Sequence, residues 1–299
     1  MTRRASWVDR VRGAALLAAT LALPSAHPSA AYAQAPEGPT FDVRTVDATL
    51  VGAGLWVTSI GVAAQVDRWS ETPACRAEPD PDTGICDAAG IFVLDRPTFR
   101  HHWPGADEAS DVLLVTMLAS PFAYAGARAG FDDRLDQPLE TFGRSAAVSF
   151  QALGAVALAT GIVKLIVRRP RPLTYDPAFS REERFDGDAR LSFPSGHTSI
   201  AFGSATLLAV MAHEEIADPG LKAAVIASGF GAASAVGYLR IAARKHFLTD
   251  VLAGAALGAG VAGLVAGIQL ADDGADPAEE SAGAGQAVSA FHFGWGGTF

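Results

Sequence analysis

The stretch SFPSGHTSIAFGSATLLAVMA, residues 192–212, joins a polar turn to an unbroken apolar run, and its reading decides the fold. From Thr198 to Ala212 the run has no charged residue and no strict alternation of apolar and polar positions, so it reads as a helix and not a strand. The turn before it has the makings of a helix N-terminus. Free backbone N–H groups lie there, Gly196 lets the backbone approach a ligand closely, and Ser195 can cap or donate. With His197 beside them, these residues form a cradle suited to a phosphate.

Outward from this helix lie five more charge-free stretches of helical length: Ala48 to Val66, Val112 to Ala127, Ser145 to Val163, Ala223 to Leu239 and Val251 to Ala271. Their Ala, Leu and Gly content favours helices buried on most sides, and the whole predicts an all-α bundle of about six apolar helices. Pro and Asp mark the loops Asp67 to Asp111, Arg168 to Pro194 and Glu214 to Gly220. The chain divides into a leader (1–33), N-terminal apolar helices with a cysteine-containing loop (41–140), a core (145–270) and a tail (272–299). That tail is acidic and Gly-rich, ends on Phe291, Phe293, Trp295 and Phe299, and contains no recognisable chemistry.

Apolar residues make up 49% of the chain and charged residues 18%, fewer than the roughly 25% of an average soluble domain, which leans towards membrane helices. A net charge of −9 argues against nucleic acid as a partner, so any phosphate site is a local cationic pocket in an acidic protein. Arg3, Arg4, Arg10 and Arg12 precede the apolar run Gly13 to Leu23, and small residues follow as far as Ala31-Tyr32-Ala33. This order is that of a secretory signal peptide cleaved after Ala33; an uncleaved anchor helix is the alternative. In an exported protein Cys75 and Cys86, the two cysteines of the chain, read as a disulfide closing a small loop, and the absence of CxxC spacing disfavours a metal site.

If a cleaved leader is followed by six crossings, the cysteine loop falls on the cytoplasmic side. The opposite loops, with Asp132, Asp133, Asp136, Glu214 and Glu215, are acidic and fit the cytoplasmic side poorly. An uncleaved N-terminus, a segment that does not cross, or a soluble periplasmic bundle would each resolve the conflict. The reading favours an exported protein of the cell envelope, integral to the membrane in preference to soluble, with its active site facing the periplasm.

Three clusters carry chemistry, all at helix ends on one side of the expected bundle. Lys164 closes an apolar helix, where a cation suits the helix dipole, and Pro172 forces Arg171 into an extended conformation. The second cluster is the Ser192 to Thr198 turn. In the third, Arg240 precedes His246 by six residues and Asp250 by ten. With Phe247 to Asp250 as a first helical turn, His246 and Asp250 share a face, and the carboxylate can fix the imidazole's tautomer and leave its other nitrogen free to attack.

Lys164-x6-Arg171-Pro172, Pro194-Ser195-Gly196-His197 and Arg240-x5-His246-x3-Asp250 resemble the three ordered signature motifs of the type 2 phosphatidic acid phosphatases. That family is related to bacterial class A acid phosphatases and vanadium haloperoxidases. The resemblance covers about Ser145 to Leu270; no motif is matched from Phe41 to Glu140. It implies a metal-independent phosphatase, without cofactor, that hydrolyses a phosphate monoester or pyrophosphate of a lipid or small ester through a phosphohistidine. His246 would attack phosphorus, Asp250 orient it, and His197 protonate the leaving oxygen and later activate water. Lys164, Arg171, Arg240, Ser195 and the Gly196 amide would hold the equatorial oxygens. Leu239 stands where the family commonly has Ser, which removes one auxiliary hydrogen bond.

Two rivals are a vanadium-dependent haloperoxidase, disfavoured by chain length, and a non-catalytic polytopic protein whose basic residues touch lipid head groups. Other signals carry less. His101-His102 is disfavoured as a metal pair, because adjacent residues point apart. His213, Glu214 and Glu215 read as a solvated helix end, Arg168 and Arg169 as rim residues, Arg96-Pro97 as a turn, and Trp56, Phe122 and Tyr124 as packing aromatics.

Overall fold

The computed structural model describes residues 45–64, 75, 80, 83–132 and 135–273. The expected leader, Asp133 and the tail beyond Asp273 lie outside the described residues. Seven α-helices follow in order: α1 (Thr45–Ala63), α2 (Ala106–Phe131), α3 (Pro138–Val167), the short α4 (Arg181–Phe185), α5 (Gly196–Glu215), α6 (Pro219–Ala242) and α7 (Leu248–Asp273). No strand occurs among the described residues. The fold is the all-α bundle expected, with each of the six apolar stretches inside or overlapping one long helix.

Most of the helices extend beyond the charge-free stretches because their end turns take charges that complement the backbone dipole. Asp107 and Glu108 open α2, while Lys164 and Arg240 close α3 and α6. Caps set the starts: Asp218 accepts from Leu221 N at 2.6 Å ahead of Pro219, and Ser180 and Glu183 form a reciprocal capping box on α4.

Helix α5 is the axis, in contact with α2, α3, α6 and α7. On one side Leu207 and Met211 pack with Val148, Leu153 and Val156 of α3 and Ala262 and Ala266 of α7. On the other, Ala201 and Ala205 pack with Met117 of α2 and with Ala233 and Val236 of α6. Burial on most sides, expected of all six helices, holds for α5 but not for the outer ones. Large apolar side chains face outward on α1 (Val57, Ile60), α3 (Ile166) and α7 (Leu252, Ile268). Four helices of the described residues, α2, α3, α6 and α7, are long and apolar enough to cross a membrane, and an apolar outer face is the surface such a helix presents to lipid.

The loops after α1, α3 and α6 share one end of the bundle with the starts of α2, α5 and α7. Cys75 and Cys86 are bonded in the loop after α1, with Cα atoms 5.3 Å apart. At the other end Glu215 is not a solvated residue: it is buried and meets Arg128 Nη1 at 2.7 Å, because the last turn of α5 is still inside the bundle.

Helices α5 and α7 approach to backbone contact. A Cβ placed on Gly258 would lie 2.0 Å from the Ser199 carbonyl oxygen, and one on Gly254 would lie 2.6 Å from that of Ser195. Hydrogen at both positions is therefore a condition of the packing. Gly258→Ala should lower stability by about 1–3 kcal/mol, as overpacking does, in unfolding experiments on detergent-solubilised protein. Gly260→Ala, on the same helix with open space around it, should be neutral or slightly stabilising. Equal stability of the two variants would mean that α5 and α7 are not this close.

Candidate active site

Two helix ends present the cations through an unusual stop. Helix α6 closes with Arg244 in the left-handed region at φ 59°, Arg244 N bonding Ile241 O at 3.0 Å and Lys245 N bonding Arg240 O at 3.1 Å. This is a Schellman termination with arginine where glycine is usual. The Arg240 carbonyl also accepts from His246 N at 3.2 Å, so the spacing between Arg240 and His246 is set by the backbone itself. Helix α3 likewise ends on a left-handed residue, Arg168 at φ 46°, whose N–H bonds Lys164 O at 3.0 Å. Left-handed backbone costs a non-glycine residue about 1–2 kcal/mol. At Arg244 the side chain holds it in place, with Nη2 on Phe99 O at 2.7 Å and the guanidinium 4.9 Å above the Phe99 ring.

These ends enclose a cavity of about 370 Å³. Lys164, Arg171, Gly196, His197, Arg240 and His246 line it, together with Asp107, Asp111, Asp188 and Lys245. Every fixed cation has a partner. Arg171 reaches the Asp188 carbonyl at 2.9 Å and its carboxylate at 2.7 Å, while Arg240 reaches Asp107 at 2.6 Å and Ser110 Oγ at 3.0 Å. Lys245 Nζ lies 3.3 Å from Asp107, and Lys164 donates to the Leu191 carbonyl. His197 Nε2 lies 2.8 Å from Asp111 Oδ1, so that nitrogen holds the hydrogen.

Ser195 and Asp250 stand outside the cavity lining. Ser195 is buried and caps α5, its hydroxyl accepting from the amide and hydroxyl of Thr198, and its N–H bonds the Asp250 carbonyl at 3.0 Å. Leu239, at the position expected to lack a hydroxyl, packs against Ala106, Ala242 and Ala243.

His246 differs from expectation in what fixes its tautomer. Its Nδ1 is 2.7 Å from the Ser192 carbonyl and 3.8 Å from Asp250 Oδ2. A carbonyl only accepts, so Nδ1 holds the hydrogen and Nε2 the lone pair. Asp250 acts one step back: its Oδ2 accepts from Ser192 Oγ and from Phe247 N at 2.8 Å. Burial first, then Arg171, Lys164 and Arg240, push the His246 pKa well below the usual value, which keeps the ring neutral. Burial and then Arg240 push His197 down to about 4, against the pull of Asp111.

Arg169, read from sequence as a rim residue, sits between two buried carboxylates. Its Nη1 donates to Asp250 Oδ1 at 2.6 Å and its Nη2 to Asp95 Oδ2 at 2.7 Å. Adjacency to Arg171 concealed it, since two arginines one residue apart look alike until the extended turn sends them to opposite sides. Asp107 and Asp111 were also missed. Their i, i+4 spacing at the start of an apolar helix was a legible signal, but nothing in the sequence joined that helix to the motifs. The His102 ring packs against Phe179, tilted by 47° with centroids 5.2 Å apart.

The helical bundle thus gathers cations and two histidines around one open cavity, an arrangement suited to an anion. Residues 146–272 match the PAP2 superfamily. Over 75 residues, 25% of this chain, it is 43% identical to a lipid A 1-phosphatase of Porphyromonas gingivalis; the aligned stretch is 16% of that relative's length. A crystal structure of a transmembrane PAP2-type phosphatidylglycerolphosphate phosphatase from Bacillus subtilis is 20% identical. It aligns over 76% of this chain and 98% of its own, with a TM-score of 0.43.

The depressed histidines set a pH dependence. A histidine that stays neutral when folded, but takes a proton near pH 6.5 when unfolded, makes the unfolded state the better proton acceptor. Stability is therefore undiminished above about pH 6.5 and falls as the pH drops towards 4, the folded value of His197. In His197→Gln the fall of the ligand-free melting temperature over this window should be shallower than in wild type. An identical slope would mean that His197 is not held neutral.

Proposed function

We propose that this chain is a phosphatase that removes a phosphate carried by a lipid, through a phosphohistidine on His246. The observation that carries this reading is the Nδ1 bond to the Ser192 carbonyl, which leaves Nε2 as a neutral nucleophile on a cavity lined by Lys164, Arg171 and Arg240. Phosphoryl transfer asks chiefly for positioning and for positive potential on the equatorial oxygens. The three cations with the Gly196 amide supply both. A phosphate dianion competes with Asp188 for Arg171 and with Asp107 for Arg240, so binding exchanges internal pairs for substrate pairs.

The same dianion changes His197. Burial and then the cations hold it neutral; a bound dianion offsets the cations and favours the imidazolium. His246 Nε2 then attacks phosphorus, the bond from phosphorus to the leaving oxygen breaks, and His197 gives that oxygen its proton. Neutral His197 next takes a proton from water, the hydroxide attacks phosphorus, the P–N bond breaks and His246 returns to its starting form. Asp250, 3.8 Å from Nδ1, offsets the positive charge that the ring acquires while phosphorylated.

A largely apolar cavity of about 280 Å³ adjoins the phosphate cavity and shares Lys164, Asp188, Gly196 and His197 with it. Val62 of α1, Leu114 of α2, Leu165 of α3 and Ile200 of α5 line it, a surface suited to the chain of a lipid whose phosphate is among the cations. The lipid substrate named for the Porphyromonas relative supports the same class. The outward apolar faces and the four helices able to cross a membrane support a bundle embedded in the bilayer.

Two experiments test the reading. His246→Ala should lose turnover by at least 10⁴-fold, roughly the scale of losing a nucleophile, and give no acid-labile phosphoprotein with labelled substrate. His197→Ala should lose about 10²–10⁴-fold yet still form some phosphoenzyme from an ester with a good leaving group. Vanadate should inhibit competitively and EDTA should not; restoration of a chelated enzyme by a divalent ion would point to another mechanism, and peroxide-dependent halide oxidation to a haloperoxidase.

Export is the second part of the proposal. Cys86 N bonds Thr174 O at 3.1 Å, which fastens the disulfide loop to the Arg171 loop beside the cavity. A disulfide is at home in an oxidising compartment, which supports a periplasmic cavity. On intact cells an impermeant thiol reagent should label Cys75 and Cys86 only after an impermeant reductant. Free thiols reached only after the inner membrane is opened would put the cavity in the cytoplasm.

A further inference from the structure

We propose that Asp95 is a positioning residue of the active site, holding the Asp250 carboxylate and the His246 loop through Arg169 and the first turn of α7. The proposal rests on the phosphatase reading above. Asp95 lies outside residues 146–272 and outside every motif read from the sequence.

Its side chain is fully buried, 0% exposed, and both oxygens are engaged. Oδ1 accepts from Thr249 N at 2.9 Å; Oδ2 accepts from Thr249 Oγ1 at 2.8 Å and from Arg169 Nη2 at 2.7 Å. A helix start needs only a neutral hydroxyl or amide to cap it, whereas a buried carboxylate is costly unless paired. The pairing here is with the guanidinium that also binds Asp250. Arg169 Nη1 bonds Asp250 Oδ1 at 2.6 Å and Thr249 Oγ1 at 2.7 Å, and the group lies 4.3 Å over the Phe247 ring. A planar fork held at both prongs has one orientation, and Asp95 is what holds the second prong.

From there the connections run unbroken to the nucleophile. Asp250 accepts from Ser192 Oγ, and the Ser192 carbonyl accepts from His246 Nδ1. The segment bearing Asp95 holds the same loop at three other places. Phe99 packs on Phe247 with centroids 6.1 Å apart, Phe99 O accepts from Arg244 Nη2 at 2.7 Å, and Trp103 N bonds Ala242 O at 3.1 Å. Asp95→Asn keeps one acceptor oxygen where two are used, puts an NH2 donor in place of the other and leaves no charge opposite Arg169, so Asp250 and then His246 lose their fixed geometry, while Lys164, Arg171 and Arg240 remain in the cavity wall.

The test measures kcat and KM on a soluble phosphate ester, with affinities for phosphate and vanadate, for Asp95→Asn, Arg169→Gln and the double variant. Misplaced attack geometry costs about 10²-fold. Asp95→Asn should therefore lower kcat by about that factor with KM and phosphate affinity little changed, and should weaken vanadate, which needs the nitrogen of His246 in line. In the Arg169→Gln background the same change should cost no more than about twofold, because coupled residues are not additive. Thr249→Val, which leaves both charges in place, reads the same coupling if Asp95→Asn fails to fold. Wild-type kcat in Asp95→Asn, fully additive losses, or a KM effect alone overturns the proposal. A wild-type protein that neither binds phosphate nor hydrolyses the ester overturns the phosphatase reading, and this inference with it.

Discussion

The contact between α5 and α7 is the constraint on which the rest depends. With only hydrogen at Gly254 and Gly258, the start of α5 comes to backbone contact with the second and third turns of α7, and Ser195 N can bond the Asp250 carbonyl. That places the cradle of Gly196 and His197 against the loop of His246. The loop is short because α6 stops on a left-handed Arg244 and α7 begins after Phe247, so two helices and a five-residue turn bring Arg240 and His246 to one cavity wall, with Asp250 behind it. Hydrophobic burial in the two clusters around α5 stabilises the bundle, but the glycines decide where its end groups fall.

Electrostatics around the cavity follow a consistent pattern. A set of unpaired cations in a closed space would repel one another and destabilise the fold. Here Arg171 is held by Asp188, Arg240 by Asp107, and Arg169 by Asp95 and Asp250. The carboxylates that line the cavity, Asp107 and Asp188, are partly exposed, whereas Asp95 and Asp250 behind His246 are fully buried. The chain as a whole can be acidic because the positive potential is local.

The fold was legible because apolar runs free of charge have few alternatives to helix, and the motif residues because each sits where a helix starts or stops. Lys164, Arg171, Gly196, His197, Arg240 and His246 line a common cavity for that reason. What sequence could not reveal was connectivity across long separations. Asp95 and Asp250 are 155 positions apart and share Arg169 only through tertiary contact. The tautomer of His246 was assigned to the wrong acceptor for a related reason: a carboxylate four residues away is visible in a sequence, and a backbone carbonyl 54 residues away is not. The outer faces were misjudged because an apolar helix facing lipid and one facing protein have the same composition.

Three elements around the site lie ahead of the motif-bearing segment: Asp107 and Asp111 of α2 in the cavity wall, the loop of Asp95 behind His246, and the α1 wall of the adjoining apolar cavity. The unit that is inherited as a recognisable pattern is thus smaller than the unit that folds and encloses a substrate. Proteins sharing the three motifs can differ wholly in the walls facing the leaving group. Selectivity among phosphate esters can accordingly drift with the N-terminal half of the chain while the attacking chemistry stays fixed, and an alignment confined to the motifs would group together enzymes with unlike substrates.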